Sequence, residues 1–228
     1  AFDPTIRPVV NLWGVNTDHA NIPKITEIKN NMRLINYKDI MLCDIDKSIK
    51  LRNKDQAIDL GAIAKGFAAD EVKDILISNN IENAIIDLGG NIYVLGNKLD
   101  GTLWNIGIQD PIKECLEYVG IVSAENKSIV TSGNYERYFM KQGKRYHHII
   151  DPNTGAPSEN GIISVTVISE CSIDGDALTT CIYVMGIEKG LKLIESINGV
   201  EAIFIMSNKK IYATSGIKDM FRDRKSVV

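Results

Sequence analysis

The spacing of apolar positions changes several times along the chain, and each change marks an element. "GIISVTVISE" alternates and is strongly β-branched, which predicts a strand. "ENAIIDLGGNIYVLG" predicts a strand stopped by Gly89 and Gly90, then a second one. "TLWNIGIQDP" and "CLEYVGIVSAENKSIVTS" supply further strands. "IMLCDIDKSIKLRN" reads as two short strands around a turn at "DKS". "YERYFMKQGKRYHHIID" reads as a hairpin turning at Gln142–Gly143, and "EAIFIMSNKKIYATSGI" as a closing hairpin. Between them the period lengthens. Ile63, Phe67, Ala68, Val72, Ile75 and Leu76 predict a helix over 62–78, preceded by a short apolar strand that ends at Asp59 and is broken by Gly61. "PKITEIKNNMRLI", residues 23–35, predicts an amphipathic helix with Pro23 in its first turn. "DGDALTTCIYVMG" and "IEKGLKLIESI" predict two more, the first stopped by Gly186. "AFDPTIRPVVNLWG" fits either a short helix entered through Pro4 or an extended arm. Strand runs interrupted by helices give an α+β class with mixed or antiparallel sheets rather than a regular parallel α/β fold.

Composition narrows the picture. The chain has 228 residues, enough for one large domain or two small ones, and it can bury roughly 70% of its unfolded surface. A net charge of −3 leaves no basic field for nucleic acid or anionic lipid. No apolar stretch approaches the ~20 residues of a membrane span. The first residues, "AFDPTIRPVV", carry no methionine and no visible signal peptide, so a fragment or processed product is expected. Cys43, Cys115, Cys171 and Cys181 form no C-x-x-C pair. They read as single buried thiols, with a Cys171–Cys181 bridge only if the fold brings those two together.

Three stretches could carry chemistry. In "SIDGDALTT", residues 172–180, a helix begun near Asp174 places Asp176 and Thr180 one turn apart on one face. A carboxylate and a hydroxyl are hard oxygen donors, suited to Mg²⁺ or Ca²⁺. The same residues also suit an N-cap at Ser172 or Asp174 with Asp176 complementing the helix dipole. In "DLGAIAKG", residues 59–66, Gly61 permits a tight turn into a helix whose first N–H groups and Lys65 could meet an anion. In "HHIIDPNTG", residues 147–155, two histidines end a strand ahead of strong turn residues, and only one of them can face a given site. Histidine is a natural general base near neutral pH, and a strand-end histidine can equally be structural.

Taken together, "FDPT", "DLGAIAKGFAAD", "IIDLGGNI", "TSGNYERYF", "HIIDPNTG" and "DGDALTT" resemble, in this order, the ApbE family of FAD:protein FMN transferases. The resemblance implies a single T-fold-like α+β catalytic domain over 1–228. It implies Mg²⁺-dependent cleavage of FAD, transfer of FMN through its phosphate to a threonine of a target protein, and release of AMP. Targets in the family are typically subunits of membrane redox pumps. An extracytoplasmic, lipid-anchored location follows for the full-length protein. The oligomeric state stays open, a homodimer among the options. By motif, Asp176 and Thr180 match side-chain metal ligands, with the carbonyl of Ala62 as a third. Asp59, Lys65, Ile150 and the segment Ala1, Phe2, Asp3 match flavin-nucleotide contacts, and His148 is the candidate base. Two alternatives share the resemblance: an FAD pyrophosphatase that yields free FMN and AMP, and a non-catalytic flavin-binding protein. The chain departs from the family pattern in carrying Gly175, where alanine is usual, and in lacking the N-terminal part that completes the flavin pocket.

Overall fold

The computed structural model describes residues 1–112 and 117–223. In chain order the elements are α1 (Arg7–Trp13), α2 (Ile25–Met32), β1 (Ile40–Cys43), β2 (Ser48–Leu51), α3 (Ala64–Ser78), β3 (Ala84–Asp87), β4 (Asn91–Leu95), β5 (Trp104–Gln109), β6 (Tyr118–Ala124) and β7 (Lys127–Gly133). They continue with β8 (Tyr138–Lys141), β9 (Lys144–His147), β10 (Ile150–Asp151), β11 (Ala156–Pro157), β12 (Ile162–Ser169), α4 (Ser172–Met185), α5 (Ile187–Glu195), β13 (Glu201–Met206), β14 (Ile211–Ala213) and β15 (Phe221–Asp223). Every ladder among the described residues is antiparallel, as the α+β reading expects.

The chain divides into two compact units. The first comprises Ala1–Leu60 and Asn134–Glu159. Its first residues are helical: a single 3₁₀ turn, Pro4–Ile6, leads into α1, so the extended-arm alternative is not taken. Its core gathers Val9, Trp13, Ile28 and Ile150. The Trp13 indole N–H donates to the carbonyl of Gly155 at 2.7 Å and its ring stacks on Tyr146, which in turn stacks on Phe139. These contacts steady the β8–β9 ribbon, since a two-stranded ribbon alone is marginal in water. Its turn at Gln142–Gly143 has positive φ at both residues, as a two-residue hairpin requires.

Two expectations change in this unit. Residues 56–60 form no strand. The Gln56 N–H donates to the Asn53 carbonyl and the Asp59 N–H to the Pro4 carbonyl, while the Gln56 side chain donates to the Leu34 carbonyl and to Asp39 and accepts from the Asn53 N–H, which anchors the segment without a ladder. Helix α2 starts at Ile25, beyond Pro23, because Lys24 is extended and its N–H donates to Glu27 at 2.7 Å.

The second unit comprises Gly61–Gly133 and Asn160–Val228. Its main sheet runs β14-β13-β12-β7-β4-β3, and a three-stranded sheet runs β15-β6-β5. Ile129 and Ile168 of the main sheet share a core with Ile106, Ile108 and Val122 of the smaller one. On the main sheet's other face, Ala69 of α3 packs with Ile86, Tyr93 and Leu95. The strong alternation of β12 is thus spent on two different partners. The Ser169 hydroxyl lies against Gly175 of α4, while its neighbour Ile168 faces the smaller sheet.

Cys43, Cys171 and Cys181 are free, and the first two are exposed rather than buried. Cys171 and Cys181 cannot bridge, because ten residues along α4 separate them by about 15 Å. The reading of Cys115 falls outside the described residues.

Candidate functional site

Helices α3 and α4 cap each other. Neither has a side-chain cap from its own N-cap residue, which is Ile63 for α3 and Cys171 for α4. Asp176 of α4 accepts from the N–H of Gly66, in the first turn of α3, at 2.9 Å. Asp70 of α3 accepts from the N–H groups of Ser172 and Ile173, which open α4, at 3.1 and 2.9 Å. Each carboxylate therefore satisfies donors that the partner helix leaves without an intrahelical acceptor. The capping expected of Ser172 or Asp174 is not what forms. The Ser172 hydroxyl donates to Asn91 at 2.6 Å and accepts from Ser128 at 3.0 Å, and Asp174 is exposed.

Close approach makes this exchange feasible. A Cβ on Gly66 would lie 2.4 Å from the Ser172 carbonyl oxygen and 2.6 Å from the Ile173 Cα, so only glycine fits. Gly175 is also set by packing rather than by backbone path. A Cβ there would press the Ser169 hydroxyl at 2.9 Å and Val130 at 3.0 Å.

Asp176 is 4% exposed. Burial pushes its pKa up, and the Gly66 N–H and the charge of Lys65 pull against that without reversing it. Oδ2 accepts from the Gly66 N–H, and the main chain of Lys65 also favours the charged carboxylate. Thr180 lies one turn on and is half-buried, whereas its neighbour Thr179 is consumed by the Asp176 carbonyl and Ser132. Ala62 lies in the turn that leads into α3, and Lys65 in its first helical turn donates to the Gly89 carbonyl at 3.4 Å. Asp176 and Lys65 are thus brought together at one helix end. Of the first N–H groups of α3, expected to meet an anion, that of Gly66 donates to Asp176. No group of three or more His, Cys, Asp and Glu side chains converges among the described residues. The three expected metal ligands are a carboxylate, a hydroxyl and a main-chain carbonyl, hard oxygen donors of the kind Mg²⁺ takes together with water and phosphate.

The other candidates belong to the first unit. Asp59 pairs with Arg7 at 3.0 Å, and its N–H donates to the Pro4 carbonyl at 2.7 Å, so the segment Ala1–Phe2–Asp3 and Asp59 are held near one another. Asp3 itself caps the first turn. Its carboxylate accepts from the N–H and hydroxyl of Thr5 and from the Tyr37 N–H. The Ile150 side chain is in the core, so any contact it makes to a ligand comes from its main chain. The two histidines separate as strand geometry requires. His147 is buried, its Nε2–H donates to the Ser158 carbonyl at 3.0 Å, and its Nδ1 accepts from the Ile149 N–H. Burial holds its pKa below the usual histidine value. His148 is half-buried at the open end of the β8–β9 ribbon, with Nδ1 3.2 Å from the Arg137 carbonyl. A carbonyl only accepts, so Nδ1 is the donor in this contact.

These residues can be set beside known proteins. The model of the ApbE family matches residues 1–204. The chain belongs to the ApbE family. It is 39% identical over 215 residues to the FAD:protein FMN transferase of Klebsiella pneumoniae, covering 94% of this chain and 66% of that one. It is 37% identical to the FAD:protein FMN transferase of Treponema pallidum, covering 97% of this chain and 65% of that one. Its fold is similar to that of the ApbE protein of Thermotoga maritima, with a TM-score of 0.89 at 32% identity over 97% of this chain and 72% of that one. The flavin transferase ApbE of Vibrio cholerae gives 0.82 at 33% identity, over 96% and 71%. The chain spans just under two thirds of the length of the curated relatives it matches.

Sequence reasoning passed over Asp70, Asn91 and Arg7. Asp70 stands four residues after Gly66, on the same helical face, and that spacing was the available signal.

Proposed function

We propose that this ApbE-family chain carries the catalytic residues of a FAD:protein FMN transferase, moving FMN from FAD to a threonine of a target protein and releasing AMP. The observation that carries the proposal is Asp176: a buried carboxylate at the start of α3, one oxygen bound by Gly66, beside Lys65. The names of the relatives support the same reading.

In the reaction the threonine oxygen bonds to the phosphorus of the FMN half, and the bond from that phosphorus to the bridging oxygen breaks. AMP leaves with the electron pair. His148, oriented by the Arg137 carbonyl, takes the hydroxyl proton. Lys65 brings positive charge to the pyrophosphate. Asp176, the Thr180 hydroxyl and the Ala62 carbonyl would hold Mg²⁺, which supplies charge neutralisation at both phosphates. Asp59 and the Ala1–Asp3 segment, tied together through Pro4 and Arg7, hold the nucleotide.

The test incubates the protein with FAD, Mg²⁺ and a threonine-bearing acceptor domain, then reads acceptor mass and AMP. The expected result is a gain of one FMN, abolished by EDTA and by Asp176→Ala. His148→Ala should still bind FAD while transfer falls about 10²–10⁴-fold. Free FMN and AMP without acceptor gain would replace this reading by the pyrophosphatase, and full transfer by the Asp176 variant would remove the metal assignment.

A further inference from the structure

We infer that Asp70 is a positioning residue that holds Asp176 in place for a divalent cation, an inference that rests on the metal reading above. Both Asp70 oxygens are committed to backbone: Oδ1 to the Ser172 N–H and Oδ2 to the Ile173 N–H. Those two residues are the first of α4, and Asp176 follows one turn later on the same rigid element. Asp70 therefore fixes the height of α4 against α3, and that height decides whether Asp176 reaches Gly66.

The two carboxylates differ in their partners. Asp70 is also paired with Lys73 at 3.2 Å, and that ammonium lies 5.4 Å from the centre of the Tyr93 ring. Its charge is balanced and both oxygens are occupied. Asp176 has its Oδ2 on the Gly66 N–H and stands beside Lys65 in the first turn of α3. A second brace acts on the same turn: Asn91 is fully buried and accepts from the Ser172 hydroxyl at 2.6 Å. Asp70 and Asn91 together hold the main chain and the side chain of Ser172, so the start of α4 has little freedom to slide or rotate. Lys73 and Tyr93 do the same for Asp70. The arrangement is an outer layer that orients a metal ligand without touching the metal, and such partners are worth about 10–100-fold in metal affinity.

The experiment measures Mn²⁺ binding by electron paramagnetic resonance, with FAD present, for the unsubstituted chain and for Asp70→Ala, Asp70→Asn, Asp176→Ala and Leu76→Ala. Asp176→Ala should lose the bound signal. Asp70→Ala should weaken Mn²⁺ about 10–100-fold. Asp70→Asn should lie between, because its amide keeps one acceptor and turns a donor toward the other N–H; it also carries the test if the alanine variant does not fold. Leu76→Ala, which loosens α3 away from the cap, should melt earlier yet keep its Mn²⁺ affinity. Unchanged affinity in Asp70→Asn, with loss in Asp176→Ala, overturns the role of Asp70 alone. Weakening in Leu76→Ala equal to that in Asp70→Ala also overturns it, since affinity would then track stability. Retained binding in Asp176→Ala overturns the metal reading and this inference with it.

Discussion

Asp176 and His148 are fixed in opposite ways. Asp176 sits where two helices approach so closely that one position admits no side chain, and backbone N–H groups hold the carboxylates on both sides. His148 stands at the open end of an exposed two-stranded ribbon, oriented by the Arg137 carbonyl and steadied by stacked aromatic rings. Under the proposed function, a carboxylate that holds a cation gains from a fixed position, because its burial costs free energy that only well-placed partners offset. A base that meets a protein hydroxyl would gain from accessibility. The contrast predicts that small changes near Asp176 cost much and comparable changes around the first unit cost little.

The largest effect should come from Gly66→Ala. The added Cβ meets backbone atoms of Ser172 and Ile173, which cannot swing aside as a side-chain end could. Forcing α3 and α4 apart should cost about 3 kcal/mol. For a chain of this size that lowers Tm by about 6–12 °C. Hydrogen exchange at the Ser172 and Ile173 amides should accelerate with it, since their acceptor Asp70 moves away. A variant that melts within about 2 °C of the parent would show that the helices are not locked at this point.

A smaller effect, confined to acid, belongs to His147. Its folded-state pKa lies below the unfolded value of about 6.5, because burial disfavours the charged ring. The unfolded chain therefore binds this proton more readily. The neutral ring's contribution is fully present above about pH 6.5 and is lost as pH falls toward the folded-state value. His147→Gln, which keeps a donor for the Ser158 carbonyl, should lose less Tm than the parent between pH 8 and pH 5. Identical losses would mean that other groups govern the acid limb.

The same contrast explains what the sequence could reveal. Alternation and turn chemistry are local, so β12, the β3–β4 pair and the Gln142–Gly143 hairpin were legible. So was the shared face of Asp176 and Thr180, since it needs only the helical period. The cap exchange was not legible. Asp70 and Ser172 stand 102 positions apart, and nothing near either residue announces the other. For the same reason the acceptor of the Gly66 N–H, a carboxylate from a distant helix, could not be read from residues 59–66. The failure at 56–60 is of another kind. Two apolar residues beside Gln56 looked like a strand, but the segment's N–H groups at Gln56 and Asp59 donate to the Asn53 and Pro4 carbonyls, bonds made outside any ladder.

The smallest effect tests the permissive half directly. Arg7→Met removes the ion pair to Asp59 while keeping an apolar stem of similar length. The Arg7 side chain is 48% exposed, so water already screens the pair and holding two long side chains together costs entropy. Stability should fall by less than about 1 kcal/mol. If Asp59 holds the nucleotide, losing the guanidinium leaves more negative charge facing the FAD phosphates. The KM for FAD should then rise by less than about fivefold with kcat unchanged, since 1.4 kcal/mol is tenfold. Both differences should shrink at about 1 M salt, where the screening length is about 3 Å. Melting curves and FAD titrations at low and high salt read both quantities. A Tm loss as large as that of Gly66→Ala would mean that Arg7 and Asp59 are locked as firmly as the helix pair, and the division between a fixed and a permissive half would fall.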